Sequence, residues 1–384
     1  MEKNYIVAFD QGTTSTRTII FNKEGEIRAI AQKELKQHYP KSGWVEHDPI
    51  TIYKDQLETF QEAVNTSGIN PAEIATIGIT NQRETTIVWD KETGAPIYNA
   101  IVWLDKRTTS ICQELKNKGL SEYVKANTGL VIDSYFSGTK LKWILENVAG
   151  AKEKAAEGKL CFGTIDSWLV YKFTEEKKHL TDHTNASRTM LYNIKDLCWD
   201  ETILNALEIP KEILPNVQNS SSDYGNIEFK GQKIPIYGVA GDQQAALFGQ
   251  GGFKSGIAKN TYGTGCFILL NIGEKQVVSN NGLLTTLTCS LASEPTKYAL
   301  EGSVFVGGAS IQWLRDSMKI IEKASDTEAI CKSIPPLKNI YVVPALAGLG
   351  APYWDSEAKG SIYGVTLDTG REEIIKATVE SLAY

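Results

Sequence analysis

The sequence predicts an α/β chain of two domains, and three observations carry that expectation. The chain has 384 residues, more than one ordinary domain holds. It opens on a strand, a turn rich in glycine and hydroxyl residues, and a second strand. The same order returns about a domain further on, from residue 256 onward, as a remote internal duplication would give.

In the first unit the apolar run 5–9 is the opening strand. Asp10-Gln11-Gly12-Thr13-Thr14-Ser15 forms the polar turn, and residues 16–22 the next strand. A further turn at Asn22-Lys23-Glu24-Gly25 leads into 26–31, so three antiparallel strands are expected first. Asp48-Pro49 reads as an N-cap followed by proline at the first helical position, and 50–64 carries apolar residues at helical spacing. Residues 74–80 form a buried strand that ends at Asn81-Gln82-Arg83-Glu84. Residues 234–239 form another, followed by a helix over 243–248. The second unit starts with 256–259, turns through Asn260-Thr261-Tyr262-Gly263-Thr264-Gly265 and continues as strand 266–271. Glycine accumulates at 250–256, which places the boundary there and gives domains 1–252 and 253–384. Residues 371–384 read as an amphipathic helix with no terminating glycine or proline, so the second domain is expected to be incomplete.

Composition excludes several function classes. The chain is 42% hydrophobic and 22% charged with net charge −6, and no Lys/Arg-rich run stands out. Neither a nucleic acid nor an anionic membrane is an expected partner. An anionic substrate then needs local positive groups. The 6 cysteines (112, 161, 198, 266, 289 and 331) include no Cys-x-x-Cys pair, and only 4 histidines are present. Structural zinc and a disulfide framework are not expected, and the thiols read as buried side chains in a reducing cytosol. The N-terminal apolar run is too short for a signal peptide, and no stretch reaches membrane-spanning length. The expected location is the cytoplasm.

Five places carry candidate chemistry. The turn 10–15 can aim backbone N–H groups and hydroxyls at one anion, with Arg17 adding charge and Asp10 a carboxylate for hydrated Mg²⁺; a plain hairpin turn is the alternative. Gly263-Thr264-Gly265 is its counterpart in the second unit, again with a tight turn as the alternative. Asp242, just past a strand end among small residues, can accept a hydroxyl proton, or it caps the following helix. Arg83 and Glu84, also past a strand end, can grip neighbouring hydroxyls, or form a surface ion pair of little energetic weight. Trp103 and Tyr135 can wall a polyol's carbon backbone, although a single aromatic is more often core.

Together, residues 10–17, 81–85, 241–245 and 263–267 resemble the FGGY carbohydrate kinases. Both family signatures are present, one over 135–147 and one running from Gly360-Ser361-Ile362-Tyr363-Gly364-Val365 to Ala377-Thr378-Val379-Glu380. The resemblance implies two actin-like, ribonuclease-H-like domains around a nucleotide cleft. It implies phosphorylation of glycerol by MgATP to sn-glycerol 3-phosphate in glycerol breakdown, since the Asn-Gln-Arg-Glu-Thr run separates glycerol-phosphorylating members from xylulose-phosphorylating ones. By motif match the glycerol site is Arg83, Glu84, Trp103, Tyr135, Asp242, Gln243 and Phe267. The nucleotide site is Thr13, Thr14, Ser15, Arg17, Thr264, Gly308 and Gln312, with Asp10 at the metal and Asp242 as general base. Homodimers or homotetramers are implied as well.

The chain departs from the pattern at Leu104, where glutamine is usual, and at Asp368, where a basic residue is usual. The loop 229–233 lacks the Gly-rich Arg pattern tied to fructose-bisphosphate inhibition, and the histidine that some Gram-positive members phosphorylate is missing. The segment that packs on adenine in the family is expected beyond residue 384, and a fragment that binds glycerol weakly and is inactive, or that does not fold stably, is a further alternative reading. The competing readings are another polyol or pentulose kinase of the family, and a non-catalytic, ATP-switched actin-like binding module.

Overall fold

A computed structural model describes residues 2–337 and 339–384. It divides into two compact units. The first runs from the N-terminus to Ile257 and adds Asn271–Val278 and Leu284–Ala299; the second comprises Ala258–Leu270, Ser279–Leu283 and Leu300–Tyr384.

The first unit is built on β1 (Tyr5–Gln11), β2 (Ser15–Asn22), β3 (Ile27–Glu34), β4 (Ile74–Asn81), β5 (Asn226–Phe229) and β6 (Gln232–Gly241), in the spatial order β5-β6-β4-β1-β2-β3. β1, β2 and β3 pair antiparallel, as their short turns require, while β4 runs parallel to β1 and β6 parallel to β4. The first turn is shorter than expected. Asp10 pairs with Arg17 and Gln11 with Thr16, so the ladder continues through both and leaves only 12–14 outside it. β3 likewise extends to Glu34, opposite Ser15.

Helix α1 (Pro49–Ser67) begins as its first residues dictate: Asp48 is the N-cap, its carboxylate accepts the Ile50 N–H, and Pro49 follows at the first position. The helix ends at Gly68, whose φ of 67° supplies the left-handed residue of the cap. Its buried face packs on the sheet, where Phe9, Phe60 and Phe229 join one core through centroid separations of 5.3 and 4.3 Å. Between β4 and β6 lie helix α2 (Ser137–Asn147) and the short helix α3 (His183–Ala186); α4 (Asp242–Gly249) follows β6 directly.

The second unit's hairpin is β7 (Ala258–Tyr262) paired antiparallel with β8 (Cys266–Gly273), and β9 (Tyr298–Val304) lies next to β8; the last three residues of β8 and the first two of β9 group with the first unit. Here too the strand runs further than expected, leaving Gly263-Thr264-Gly265 as the whole turn. Helix α5 (Ala309–Asp316) follows β9, and α6 (Arg371–Ser381) starts where Glu373 bonds back to the Gly370 N–H at 2.9 Å. The cysteines are all free, but only Cys112 and Cys161 are buried. Cys198 lies exposed, so the expectation of uniformly buried thiols is wrong there. No helix among the described residues is long and apolar enough to cross a membrane.

Candidate active site

Three neighbouring strands of the first unit end in register. Gln11 of β1 lies opposite Asn81 of β4, and Asn81 lies opposite Gly241 of β6. The turn 12–14, the segment 82–85 and Asp242 therefore leave the sheet side by side at its carboxyl edge, where parallel α/β sheets present their ligand groups. Gln82 ties two of these exits together, donating to Gln11 Oε1 at 3.1 Å and to the Gly12 carbonyl at 3.0 Å.

Arg83 and Glu84 are 2% exposed at their side chains, which rules out a surface ion pair. Arg83 Nε lies 3.4 Å from Asp242 Oδ1 and 3.9 Å from Glu84 Oε1, and Arg83 Nη1 donates to Gln244 Oε1 at 3.2 Å. Glu84 holds a left-handed backbone, φ 62°, which a side chain tolerates only where its surroundings enforce it. Those surroundings are visible. The Ser137 hydroxyl donates to the Glu84 carbonyl at 2.8 Å, and Arg188 Nε donates to its carboxylate at 2.6 Å.

Asp242 is not a helix cap. Gly241 occupies that place and Asp242 is the first helical residue, its carboxylate accepting the Gln243 N–H at 2.7 Å and Gln243 Nε2 at 3.0 Å. With 36% of its side chain exposed, one side of the carboxylate faces solvent.

Trp103 and Tyr135 stand edge to face with centroids 5.6 Å apart, and the Trp103 indole N–H donates to Thr13 Oγ1 at 2.8 Å. The aromatic wall thus touches the hydroxyl turn. The Tyr135 loop is held from beneath by Lys140, a fully buried ammonium that donates to the carbonyls of Ser134, Tyr135 and Phe136; burial pushes its pKa down to about 8. Arg188 lies over the Tyr135 and Phe136 rings at 5.5 and 5.3 Å.

One detail of the expected anion nest needs correcting. The Gly12 N–H is taken by the Ser15 carbonyl at 2.9 Å, so that amide closes the turn rather than pointing outward. Thr14 is exposed, and Arg17 divides its guanidinium between Gln32 at 2.9 Å and Asp10 at 3.7 Å. Burial raises the Asp10 pKa, Arg17 pulls it back, and the charge of Asp242 pushes it up again.

In the second unit the turn docks on the start of α5. The Gly307 and Ala309 amides donate to the Thr264 carbonyl at 2.7 and 3.1 Å, and Gly308 donates to Gly263 at 2.8 Å. A Cβ at Gly308 would lie 2.8 Å from that same Gly263 oxygen, so the approach requires glycine. Thr264 and Gly308 are thereby brought together, and Gln312 is exposed one turn further on. Phe267 lies here as well, buried on β8, so the seven residues expected around glycerol are divided six to one between the units.

The sequence matches the FGGY family of carbohydrate kinases, its N-terminal domain over residues 5–249 and its C-terminal domain over 258–384. The chain belongs to this family. It is 60% identical over 385 residues to a glycerol kinase of Alkaliphilus oremlandii, covering 100% of this chain and 76% of that protein. It is 57% identical to one of Vibrio parahaemolyticus, again covering 100% of this chain and 76% of that protein. Among solved structures, Plasmodium falciparum glycerol kinase with ADP superposes with a TM-score of 0.87 at 38% identity, covering 100% of this chain and 77% of that one. A ligand-bound xylulose kinase from Lactobacillus acidophilus gives 0.82 at 25% identity, covering 98% and 76%. The expected two-domain, actin-like fold is therefore that of a carbohydrate kinase.

For an FGGY kinase the Asp10 position suits a divalent cation. Among the described residues no group of three or more His, Cys, Asp or Glu could hold a metal alone. Asp10 is half-buried, and burial and the charge of Asp242 raise its pKa, so a bound cation would stabilise its carboxylate. Arg188, Ser137, Lys140 and Gln244 were not foreseen as supports of this kinase site. Arg188 sits in a stretch, Ala186-Ser187-Arg188-Thr189-Met190-Leu191, where the only local signal is one cation among small and apolar residues.

Proposed function

We propose that the chain transfers the γ-phosphoryl group of ATP to a terminal hydroxyl of glycerol, giving sn-glycerol 3-phosphate and ADP. The observation that carries this reading is the contact of Arg83 with Asp242, set beside Glu84 and the Trp103–Tyr135 wall. One face is apolar for a carbon backbone, and the other offers a donor and two acceptors for adjacent hydroxyls. The names of the relatives point the same way.

In this reading Arg83 and Glu84 fix which hydroxyl attacks, and orientation of this kind supplies ~7–11 kcal/mol of a barrier. Asp242 accepts the proton of that hydroxyl through its open side, with Gln243 steadying the carboxylate. Trp103 and Tyr135 cover the carbon backbone, and Phe267 is the second unit's member of the proposed glycerol set. Thr13, Thr14, Ser15 and Arg17 bind phosphate oxygens from the first unit, and Thr264, Gly308 and Gln312 bind nucleotide in the second. Asp10 would hold Mg²⁺ together with the nucleotide, and the ion would supply positive charge to the transferring group. We further propose cytoplasmic work as a homodimer or homotetramer, with residues 1–252 as the glycerol and catalytic domain and 253–384 as the nucleotide domain.

The experiment is glycerol-dependent ADP release by the wild type and by Asp242→Asn, with glycerol binding followed in parallel. Loss of the base lowers kcat by about 10²–10⁴-fold while glycerol still binds. Near-normal turnover by Asp242→Asn removes the base assignment, and equal turnover of a pentulose removes the substrate assignment.

A further inference from the structure

Asp182 is fully buried and collects hydrogen bonds from α3 and from Ser220. It caps α3 by accepting the Thr184 N–H at 3.1 Å and the Asn185 N–H at 2.9 Å. Capping needs no more than these. Three side chains donate to it in addition: Thr184 Oγ1 at 2.8 Å, Asn185 Nδ2 at 3.0 Å and Ser220 Oγ at 2.7 Å. Such a ring of donors suits an acceptor-only carboxylate.

Each donor reaches onward to the kinase sheet. Thr184 Oγ1 accepts the Gly241 N–H at 2.8 Å, directly before Asp242. The Asn185 amide exchanges hydrogen bonds of 2.9 and 3.3 Å with Asn81, two residues before Arg83. The Ser220 carbonyl accepts the Val239 N–H of β6 at 2.9 Å. The ladder between β4 and β6 stops at the pair Asn81 and Gly241. Beyond it, among the described residues, no strand pairing fixes Arg83–Glu84 against Asp242, and the Asp182 network begins where that pairing ends.

We infer that Asp182 is a positioning residue that holds the two strand ends in place, its Asn185 arm setting the glycerol-gripping pair and its Thr184 arm setting the proton-accepting carboxylate. The inference rests on the glycerol reading above. It predicts a division that a merely structural role does not produce. Thr184→Val lowers kcat roughly tenfold, the scale of one hydrogen bond, with glycerol affinity changed less than about twofold. Asn185→Leu weakens glycerol binding by roughly tenfold, with a smaller change in kcat. Asp182→Asn, which turns donors against donors, does both, and Thr184→Ser restores kcat.

Calorimetric titration with glycerol and glycerol-dependent ADP release, on variants whose circular dichroism and melting match the wild type, read the two quantities separately. Equal shifts of affinity and kcat in Thr184→Val and Asn185→Leu, no shift in either, or failure of Thr184→Ser to rescue would overturn the inference. A wild type that neither binds nor turns over glycerol overturns the proposed function instead. Thr184→Val and Asn185→Leu keep the division readable if Asp182→Asn does not fold.

Discussion

At the scale of single residues, Gly241 shows how tightly the site is packed. A Cβ placed there meets Arg83 Cδ at 2.8 Å and Cγ at 2.9 Å, and Gln244 Oε1 at 3.1 Å. The glycine before the carboxylate is therefore room for the arginine. Gly241→Ala is expected to displace Arg83, and a shift near 1 Å lowers kcat/KM by about 100-fold. Overpacking also costs about 1–3 kcal/mol of stability, read as a lowered urea midpoint. Wild-type kinetics in that variant would show that Arg83 can move without consequence. Asp242, Arg83 and Glu84 were visible in the sequence as polar residues following apolar strands. The left-handed backbone of Glu84 and its Arg188 partner were not, because both depend on residues 137 and 188, which are distant in the chain.

At the scale of elements, parallel pairing of β1, β4 and β6 gathers the motifs, and packing beneath them carries the cost. Asp166, fully buried in the first turn of the helix Ile165–Phe173, accepts the Thr164 hydroxyl at 2.5 Å and the Thr181 hydroxyl at 2.6 Å. Burial pushes its pKa up to about 7. The folded chain therefore binds a proton that the unfolded chain, with a pKa of about 3.9, has already released. Stability from this group is fully present at low pH and is lost as pH rises toward about 7. Asp166→Asn is expected to gain on the wild type in melting temperature between pH 5 and pH 8, and a constant difference across that range contradicts the assignment. The hairpins, the Asp48 cap and the strand ahead of Arg83 were legible from period and turn chemistry. Strand ends at Gln11, Glu34 and Tyr262 were not, since polar residues there are recruited by ladder partners.

At the scale of the molecule, two strand–turn–strand units announce two domains, and the family models cover residues 5–249 and 258–384. What the order of residues could not show is that stretches 271–278 and 284–299 belong with the first unit, because chain order does not report contacts. The proposed glycerol site draws six of its seven side chains from the first unit, and one measurement tests that proposal most directly: calorimetric titration of the chain with glycerol and, separately, with xylulose. Saturable binding of glycerol, and much weaker or no binding of xylulose, is the predicted result. Tighter binding of xylulose, or no heat with glycerol, contradicts it.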